Sequence, residues 1–155
     1  MGLPVPWTQK GAAMSIEDNK RVVANFVEVC QNQHDVAAAD EIFHPDMVNH
    51  YAPEGRPIAP ARGVASEFQA FYGMLLRAFP DATMEINEQL GERDLVATRK
   101  TLRGTHRGEV WGLPPTGNRV EWEFIDIFRV RDGKLVEHWT HMDFEALRMQ
   151  MRPRE

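Results

Sequence analysis

Hydrophobic residues in the first half of the chain recur every three or four positions, the spacing of one face of an α-helix. This spacing predicts a helix over residues 16–33 that begins after a capping Ser15. It also predicts a shorter helix over residues 35–43 and a third over residues 64–79. The segment between the last two is rich in proline and glycine, which predicts a loop after a brief strand or turn near Val48.

From residue 83 onward, hydrophobic and polar residues alternate, which is typical of strands with one buried face. The pattern predicts four strands, over residues 83–90, 95–105, 120–130 and 134–142. The sequence "RDG" between the last two is a hairpin signal, and Asp143 can cap a closing helix. Helices followed by strands predict an α+β fold, with a curved antiparallel β-sheet wrapped around the N-terminal helices.

The chain has 155 residues, about the length of one domain, and no repeat, low-complexity tract or linker divides it. We therefore predict a single domain over residues 14–155. Met14 and the residues that follow it look like a natural start, because Ser15 can cap the first helix. We interpret residues 1–13 as an N-terminal extension or a cloning remnant.

Composition narrows the possible partners and locations. The single cysteine, Cys30, fits a reducing compartment, and its apolar helix face favours a core position over a nucleophile. The formal net charge is -5, and no cluster of lysine and arginine indicates nucleic-acid binding. No apolar run approaches the roughly 20 residues of a membrane span, and the first residues lack the apolar segment of a signal peptide. These features predict a cytoplasmic protein with no nucleic-acid or membrane partner.

The predicted strand over residues 120–130 has one polar residue on its apolar face. Alternating positions of this face are Trp122, Phe124, Asp126 and Phe128. Burial among aromatic rings disfavours a charged carboxylate, so we expect the pKa of Asp126 to be raised. Such a carboxyl group suits general acid–base catalysis, and replacing it by asparagine should leave the protein as stable or more so. The alternative is a structural Asp126 that only hydrogen-bonds a neighbouring strand or an arginine.

On the next predicted strand, His138 and Thr140 share a face. If Asp126 looks onto that face, an imidazole lies beside the carboxylate, an arrangement suited to proton transfer near neutral pH. A lone histidine on a strand is also a common structural residue, and this alternative stays open. The six histidines show no spacing typical of metal ligands, so no metal site is predicted.

Four segments together resemble one known family. They are "FPD" at residues 79–81, "GERDLVATR" at 91–99, "GTHRGEVWGLPPTGNRVEW" at 104–122 and "DIFRVRDGKLVEHW" at 126–139. Through these segments the chain, from about residue 16 to residue 151, resembles the SnoaL-like family, the polyketide cyclase branch of the fold shared by ketosteroid isomerase and scytalone dehydratase. The combination of segments is fairly specific for the family, whereas the fold hosts many chemistries.

The resemblance implies a cystatin-like cone, in which the curved sheet wraps around the helices and an apolar pocket opens at one end. It implies an enzyme of the lyase or isomerase class that closes a ring in a hydrophobic carbonyl substrate by intramolecular aldol condensation, without a metal or an organic cofactor. It also implies a homodimer or a higher homo-oligomer built on the sheet. By its strand position, Asp126 looks like the pocket aspartate that donates to an oxyanion in the isomerase relatives.

The sequence departs from the family at Thr140, where similar cyclases have an acid/base aspartate after the tryptophan of "EHW". A threonine hydroxyl is not a general base near neutral pH. Either Asp126 and His138 together replace that aspartate, or the chain is an isomerase, dehydratase or hydrolase of the same scaffold. A non-catalytic binder of an apolar ligand and an interaction module that uses only its sheet are two further interpretations. Convergent polar groups inside a pocket would favour an enzyme.

Residues at the predicted pocket rim are candidates for substrate contact. The loop over residues 104–117 is shaped by its glycines and by Pro114 and Pro115, and in this family it lies near the rim. The alternative for each candidate is an ordinary rim or core residue. The candidate substrate-binding residues are His50, Tyr51, His106, Trp111, Trp122, Phe124 and Thr140, and the candidate catalytic residues are Asp126 and His138.

Overall fold

The computed structural model describes residues 14–50 and 64–153, so the predicted N-terminal extension lies outside the described residues. The helical elements are α1 (Ile16–Phe26), a π-helical turn (Val27–Asn32), a 3₁₀ turn (Val36–Ala38), α2 (Ala39–Ile42), α3 (Val64–Ala78) and α4 (Phe144–Gln150). The strands are β1 (Phe43–Asn49), β2 (Thr83–Glu92), β3 (Leu95–Thr105), β4 (Arg119–Arg131) and β5 (Lys134–Met142). Within the described ranges, no helix is long and apolar enough to cross a membrane.

The strands form one curved sheet in the order β1-β5-β4-β3-β2. Strands β2 to β5 pair antiparallel, whereas β1 runs parallel to β5 at the edge. The predicted α+β fold with N-terminal helices is confirmed, and the sheet is mixed rather than wholly antiparallel. The second helix ends at Ile42 instead of reaching Phe43, and β1 continues through Pro45. An edge strand tolerates a proline because one of its sides needs no donor for a neighbouring strand.

The helices pack against one face of the sheet, which we call the inner face. The ring of Phe26 in α1 lies 5.5 Å from that of Phe128 in β4 and 5.1 Å from that of Phe68 in α3. Burial along β4 alternates as predicted, and the buried side chains are Val120, Trp122, Phe124, Asp126, Phe128 and Val130. Local signals place these elements: Ser15 and Asp18 form a capping box at the start of α1, and Asp143 caps α4.

A β-bulge in β5 changes which side chains face the core. The pairing with β4 shifts between Arg129–Glu137 and Val130–Leu135, so Val136 is an extra residue. Leu135 therefore belongs to the hydrophobic core, while Glu137 lies beside Arg129 on the opposite, outer face. Strict alternation would place Leu135 and Glu137 on the same face, and the bulge separates them.

The loop between β3 and β4 is anchored to the end of α3. The N–H groups of Arg107 and Gly108 both donate to the Ala78 carbonyl oxygen, at 2.8 and 3.1 Å. A Cβ atom at Gly108 would overlap the carbonyl oxygen of Arg77. Glycine is required here because the backbones of the loop and the helix touch.

Replacing Gly108 by alanine is expected to lower the free energy of unfolding by about 1–3 kcal/mol, because the loop must move away from α3. The matched control is Gly73→Ala within α3, where the nearest atom to the added Cβ, Arg77 Nη1, is 3.8 Å away. That variant should be stabilised by about 0.5–1 kcal/mol, because alanine has the better helix propensity. Urea denaturation measures both, and a Gly108→Ala protein as stable as the parent would contradict the close approach.

Candidate functional site

Asp126, His138 and Thr140 lie together on the inner face of the sheet. Asp126 pairs with Thr140 across β4 and β5, and the Thr140 hydroxyl donates to Asp126 Oδ1 at 2.5 Å. His138 Nε2 lies 3.3 Å from the same oxygen. Asp126 therefore looks onto the face that His138 and Thr140 share, which is the condition set by the sequence.

A fourth residue, Lys100 of β3, completes the group and was not predicted. Its Nζ lies 2.5 Å from Asp126 Oδ2 and donates to Gln31 Oε1 at 2.9 Å. The rings of Phe26 and Phe124 lie 5.6 and 5.7 Å from the ammonium, close enough for cation–π attraction. We call Lys100, Asp126, His138 and Thr140 the buried cluster.

The sequence does contain a signal for Lys100. Alternate residues of β3 that face inward are Val96, Thr98, Lys100 and Leu102, so a charge stands on an otherwise mostly apolar face, as it does at Asp126. Thr98 is directly opposite Asp126 in the ladder, which makes Lys100 a diagonal neighbour of the carboxylate. Opposite charges on like faces of adjacent strands favour an ion pair.

The charge state of Asp126 differs from the prediction. Burial is the largest single influence and raises the pKa of its carboxyl, as the aromatic surroundings suggest. The positive charge of Lys100 and the contacts from His138 together outweigh burial, so the pKa lies well below its ordinary value. The expected rise is wrong because it leaves out Lys100. An ionised Asp126 also cannot donate a hydrogen bond to an oxyanion, unlike the pocket aspartate of the isomerase relatives.

His138 is held by β1 and by β4. Its Nδ1 lies 3.0 Å from Asn49 Oδ1, and its ring stacks on Phe128 with centroids 4.4 Å apart. The 3.3 Å contact between Nε2 and Asp126 is within ion-pair distance but does not have the geometry of a hydrogen bond, so it is an electrostatic contact. The side chain of His138 is 16% exposed, against 6% for Asp126.

His50 lies on the outer face, away from the buried cluster. Its Nε2 is 2.8 Å from Glu137 Oε1, and its ring stacks on Trp139 with centroids 4.7 Å apart. Glu137 Oε2 in turn accepts a hydrogen bond from Arg129 Nε at 2.7 Å. Because β1 pairs with β5 through Asn49, that residue faces inward and the next one faces outward. The structure therefore does not bring His50 to the other candidate site residues.

His106 is a buried residue of the β3–β4 loop and also lies apart from the cluster. It is fully buried, its Nδ1 is 3.1 Å from Thr116 Oγ1, and its ring lies 5.6 Å from that of Phe79. Burial lowers the pKa of its imidazole, against a weaker opposing effect of the Gly108 backbone. A neutral imidazole in this position joins the loop to the end of α3.

Trp111 is at the tip of the same loop in a strained backbone conformation. Val110 and Leu113 exchange backbone hydrogen bonds of 3.2 and 2.9 Å, and Trp111 and Gly112 between them have φ angles of 50° and 75°. Two successive positive φ angles are typical of a type I′ turn, in which a bulky first residue is uncommon. The turn places the indole 4.6 Å from the ring of Phe144.

An aromatic row leads from Trp111 to the buried cluster. Ring centroids are 6.1 Å apart between Trp111 and Trp122, and 4.5 Å apart between Trp122 and Phe124. Phe124 lies against the Lys100 ammonium. Of the predicted substrate contacts, Thr140 belongs to the cluster, Phe124 and Trp122 adjoin it, and Trp111 stands at the far end of the row.

Two surface depressions among the described residues lie away from the buried cluster. One is lined mainly by α1 and α2, and the other by β3, β4 and Gln150. Tyr51, a predicted substrate contact, lies outside the described residues. The apolar pocket and its contact with Tyr51 therefore stay predictions.

Comparison with known proteins identifies the family. Residues 21–151 match the family model described as SnoaL-like polyketide cyclase, which is most of the chain. The chain belongs to this family. It is similar to nogalonic acid methyl ester cyclase of Streptomyces nogalater, with 28% identity over 116 residues, 72% of this chain and 81% of the relative. It is also similar to the aklanonic acid methyl ester cyclase DnrD of Streptomyces peucetius, with 32% identity over 105 residues, 67% of this chain and 70% of the relative.

This member of the SnoaL-like family also resembles solved structures. Wild-type IdmH of Streptomyces antibioticus, a proposed polyketide cyclase, gives a TM-score of 0.74 with 33% identity, over 86% of this chain and 97% of IdmH. AclR of Streptomyces galilaeus, a proposed hydroxylase, gives a TM-score of 0.77 with 30% identity, over 88% of this chain and 82% of AclR. The likeness confirms the fold, and the two proposed activities show that the fold alone does not decide the reaction.

Proposed function

We propose that this chain is a cofactor-independent enzyme that closes a ring in a hydrophobic carbonyl compound by the carbon–carbon bond-forming step of an intramolecular aldol reaction, without loss of water. The observation that supports it is the buried cluster, in which an ionised Asp126 contacts His138 and Lys100 on the inner face. Aldol ring closure needs a group that removes a proton from carbon and returns one to oxygen. An imidazole beside a carboxylate can do both near neutral pH. The cyclase names of the two relatives support the same type of reaction.

His138 is the proposed proton-transfer group. Its imidazole removes a proton from a methylene next to a carbonyl group, and the resulting carbanion attacks a second carbonyl carbon of the same molecule. A carbon–carbon bond forms, the new alkoxide oxygen takes the proton from the imidazolium, and the product is an isomer of the substrate. Asp126 stabilises the imidazolium, because its carboxylate is 3.3 Å from Nε2.

Thr140 has a different role from that of the aspartate found at this position in similar cyclases. Its hydroxyl donates to Asp126 Oδ1 at 2.5 Å, so it orients the carboxylate and takes no proton. We propose that the acid/base function has passed to His138, two residues earlier on the same strand face. The departure at Thr140 is then compatible with a cyclase.

The proposal is tested by incubating the protein with aromatic polyketide methyl esters, including the two esters for which the relatives are named. Chromatography with mass detection should show a new compound of unchanged mass whose rate of formation is proportional to protein concentration. An enzymatic ring closure should also give a single stereoisomer, whereas closure by added base gives a mixture.

Other products would identify the alternatives. Loss of water, loss of the ester methyl group or gain of an oxygen atom would indicate a dehydratase, a hydrolase or a hydroxylase and would contradict the cyclase. Thermal stabilisation by the esters without conversion would indicate a carrier. If the panel is neither converted nor bound, a small-molecule function is contradicted and an interaction module is favoured.

We also propose that the protein forms a homodimer through the outer face of its sheet. Ile125, in the middle of β4, is 49% exposed, and the pair Ile127 and Trp139 lies beside it on the same face. Exposed apolar side chains in the middle of a sheet often mark an interface between subunits.

Light scattering at micromolar concentration should therefore give about twice the chain mass of 17.8 kDa. Ile125→Glu should give a monomer, because it places a charge in the interface. Met149→Glu is the matched control: Met149 is 58% exposed but lies on helix α4, away from the outer face, and its replacement should leave the dimer intact. A monomeric parent protein would contradict the assembly.

A further inference from the structure

The π-helical turn Val27–Asn32 brings a buried amide to Lys100. π-Helical turns are rare and are frequently found at functional sites. Gln31 of this turn is buried, and its Oε1 accepts a hydrogen bond from Lys100 Nζ at 2.9 Å. The backbone carbonyl oxygen of Gln31 accepts another hydrogen bond, from Tyr72 Oη of α3, at 3.1 Å. Gln31 is thereby fixed between a helix on one side and the sheet on the other.

Protein groups engage both oxygens of Asp126. Oδ2 pairs with Lys100 Nζ at 2.5 Å, while Oδ1 accepts a hydrogen bond from Thr140 and lies near His138 Nε2. Side-chain exposure increases along this series of contacts, from 3% for Lys100 and 6% for Asp126 to 16% for His138. His138 is therefore the least buried of these three side chains, although its Nε2 is itself buried.

We propose that Lys100 is a positioning residue: held by Gln31, its ammonium keeps Asp126 ionised and in place, so that Asp126 supports His138 in proton transfer. This inference rests on the proposed function. Lys100 itself does not touch the substrate. A salt-bridged ammonium has no lone pair, so Lys100 is not expected to form an imine with a carbonyl substrate.

The charges around Asp126 explain why a cation is needed. A carboxylate among aromatic rings loses its hydration, and without a cation it takes up a proton. Among the described residues, Lys100 and His138 are the charged or titratable side chains that contact Asp126. On the helices behind them, Cys30 and Tyr72 are neutral, because burial raises the pKa of the thiol to about 11 and raises the pKa of the phenol further.

The first test measures the Asp126 carboxyl by ¹³C NMR and needs no substrate. In the parent protein its resonance should not titrate between about pH 4 and pH 8, whereas in Lys100→Met it should. Lys100→Gln keeps a hydrogen-bond donor without the charge and should titrate as well, which covers the case that Lys100→Met does not fold. Lys100→Arg keeps the charge and should behave as the parent. Lys20→Met, at a partly exposed lysine of α1, is the matched control and should change nothing.

The second test uses conversion of the esters. Lys100→Met should lower kcat by about 100-fold with little change in KM, because the proton-transfer group is no longer supported in place. Its rate should also fall more steeply in acid than that of the parent, because Asp126 becomes protonated there in addition to the general base. Lys100→Arg should restore the shape of the parent profile. A merely structural lysine would not alter that shape for the folded protein.

The two tests separate this inference from the proposed function. Titration of Asp126 in Lys100→Met, together with a parent that converts no ester, would support the action of Lys100 on Asp126 and contradict the cyclase. The inference would be overturned if the Asp126 carboxyl did not titrate between about pH 4 and pH 8 in either Lys100→Met or Lys100→Gln. A kcat within about twofold of the parent with an unchanged pH profile would overturn it as well. Borohydride trapping of a ketone on Lys100 would also overturn it, because it would make the lysine a nucleophile.

Discussion

Asp126→Asn is expected to lower the free energy of unfolding by about 3–5 kcal/mol at neutral pH, because it leaves the Lys100 ammonium buried without an anion. The side chains of the two residues are only 6% and 3% exposed, so water cannot take the place of the carboxylate. Asparagine has nearly the same shape and can still accept a hydrogen bond, so the loss of stability measures the effect of removing the negative charge. Urea denaturation measures it.

The matched control is Glu123→Gln on the same strand. Glu123 lies on the outer face, its side chain is 61% exposed, and it pairs with Arg99 at 3.2 Å. An exposed pair of this kind contributes at most about 1 kcal/mol. The sequence alone leads to the expectation that Asp126→Asn is as stable as the parent. That result would mean that the ion pair with Lys100 contributes nothing to the free energy of unfolding.

The difference between the parent and Asp126→Asn should disappear in acid. Burial raises the pKa of Asp126, but Lys100 and His138 together lower it by more than burial raises it. The pKa in the folded protein therefore lies below the value of about 3.9 in an unfolded chain. A lowered pKa stabilises the fold fully above the unfolded value, and this contribution is lost as the pH falls toward the folded value. The unfolding free energies of the two proteins should therefore begin to converge as the pH falls below about 4.

The double variant Lys100→Met/Asp126→Leu separates charge from packing. It removes both charges and leaves apolar side chains among the aromatic rings, so its stability should return to that of the parent or exceed it. Turnover should stay low, because His138 has lost its carboxylate. A double variant as unstable as Asp126→Asn would attribute the loss to packing rather than to the unpaired ammonium.

His138→Gln is expected to lower kcat by about 10²–10⁴-fold, the usual contribution of general acid–base catalysis. Glutamine can still reach Asn49, but it cannot exchange a proton near neutral pH. KM should change little, because binding of the apolar substrate does not depend on the imidazole. The rate of conversion of the esters under saturating conditions measures the effect.

His141→Gln is the matched control, since His141 belongs to the same strand but is exposed on the outer face. It should leave kcat and KM unchanged. If His138→Gln retains the parent kcat while its thermal stability falls, His138 is structural and the proposed proton transfer is contradicted. Equal losses in both variants would point to a general effect on β5.

The sequence by itself determined most of the secondary structure, because each element has its own local signal. The predicted bounds of the strands over residues 95–105 and 134–142 equal those of β3 and β5, and the caps at Ser15 and Asp143 are observed. Alternation also assigned Asp126 to an apolar face. These signals depend only on the spacing of neighbouring residues, so they are present in the sequence without knowledge of any distant contact.

Alternation also predicted that His138 and Thr140 share a face, but the hairpin alone does not bring that face to Asp126. β4 and β5 form a hairpin with a tight turn at Asp132 and Gly133, both with positive φ, and a tight turn restricts the register of its two strands. That register alone would place Trp139 opposite Asp126, and the β-bulge at Val136 moves the pairing by one residue, so that Thr140 and His138 meet Asp126 instead. Lys100 showed the same signal, a charge on an apolar face, but β3 and β4 are joined by a long loop that does not fix their register.

Only the tertiary structure decided the charge state of Asp126 and the face of His50. Lys100, His138 and Gln31 come from three separate elements, and the parallel pairing of the edge strand turns His50 outward. A pKa is set by the sum of burial and of charges within a few ångströms. Periodicity assigns a residue to a face, but it cannot say which charge from a distant part of the chain will stand opposite.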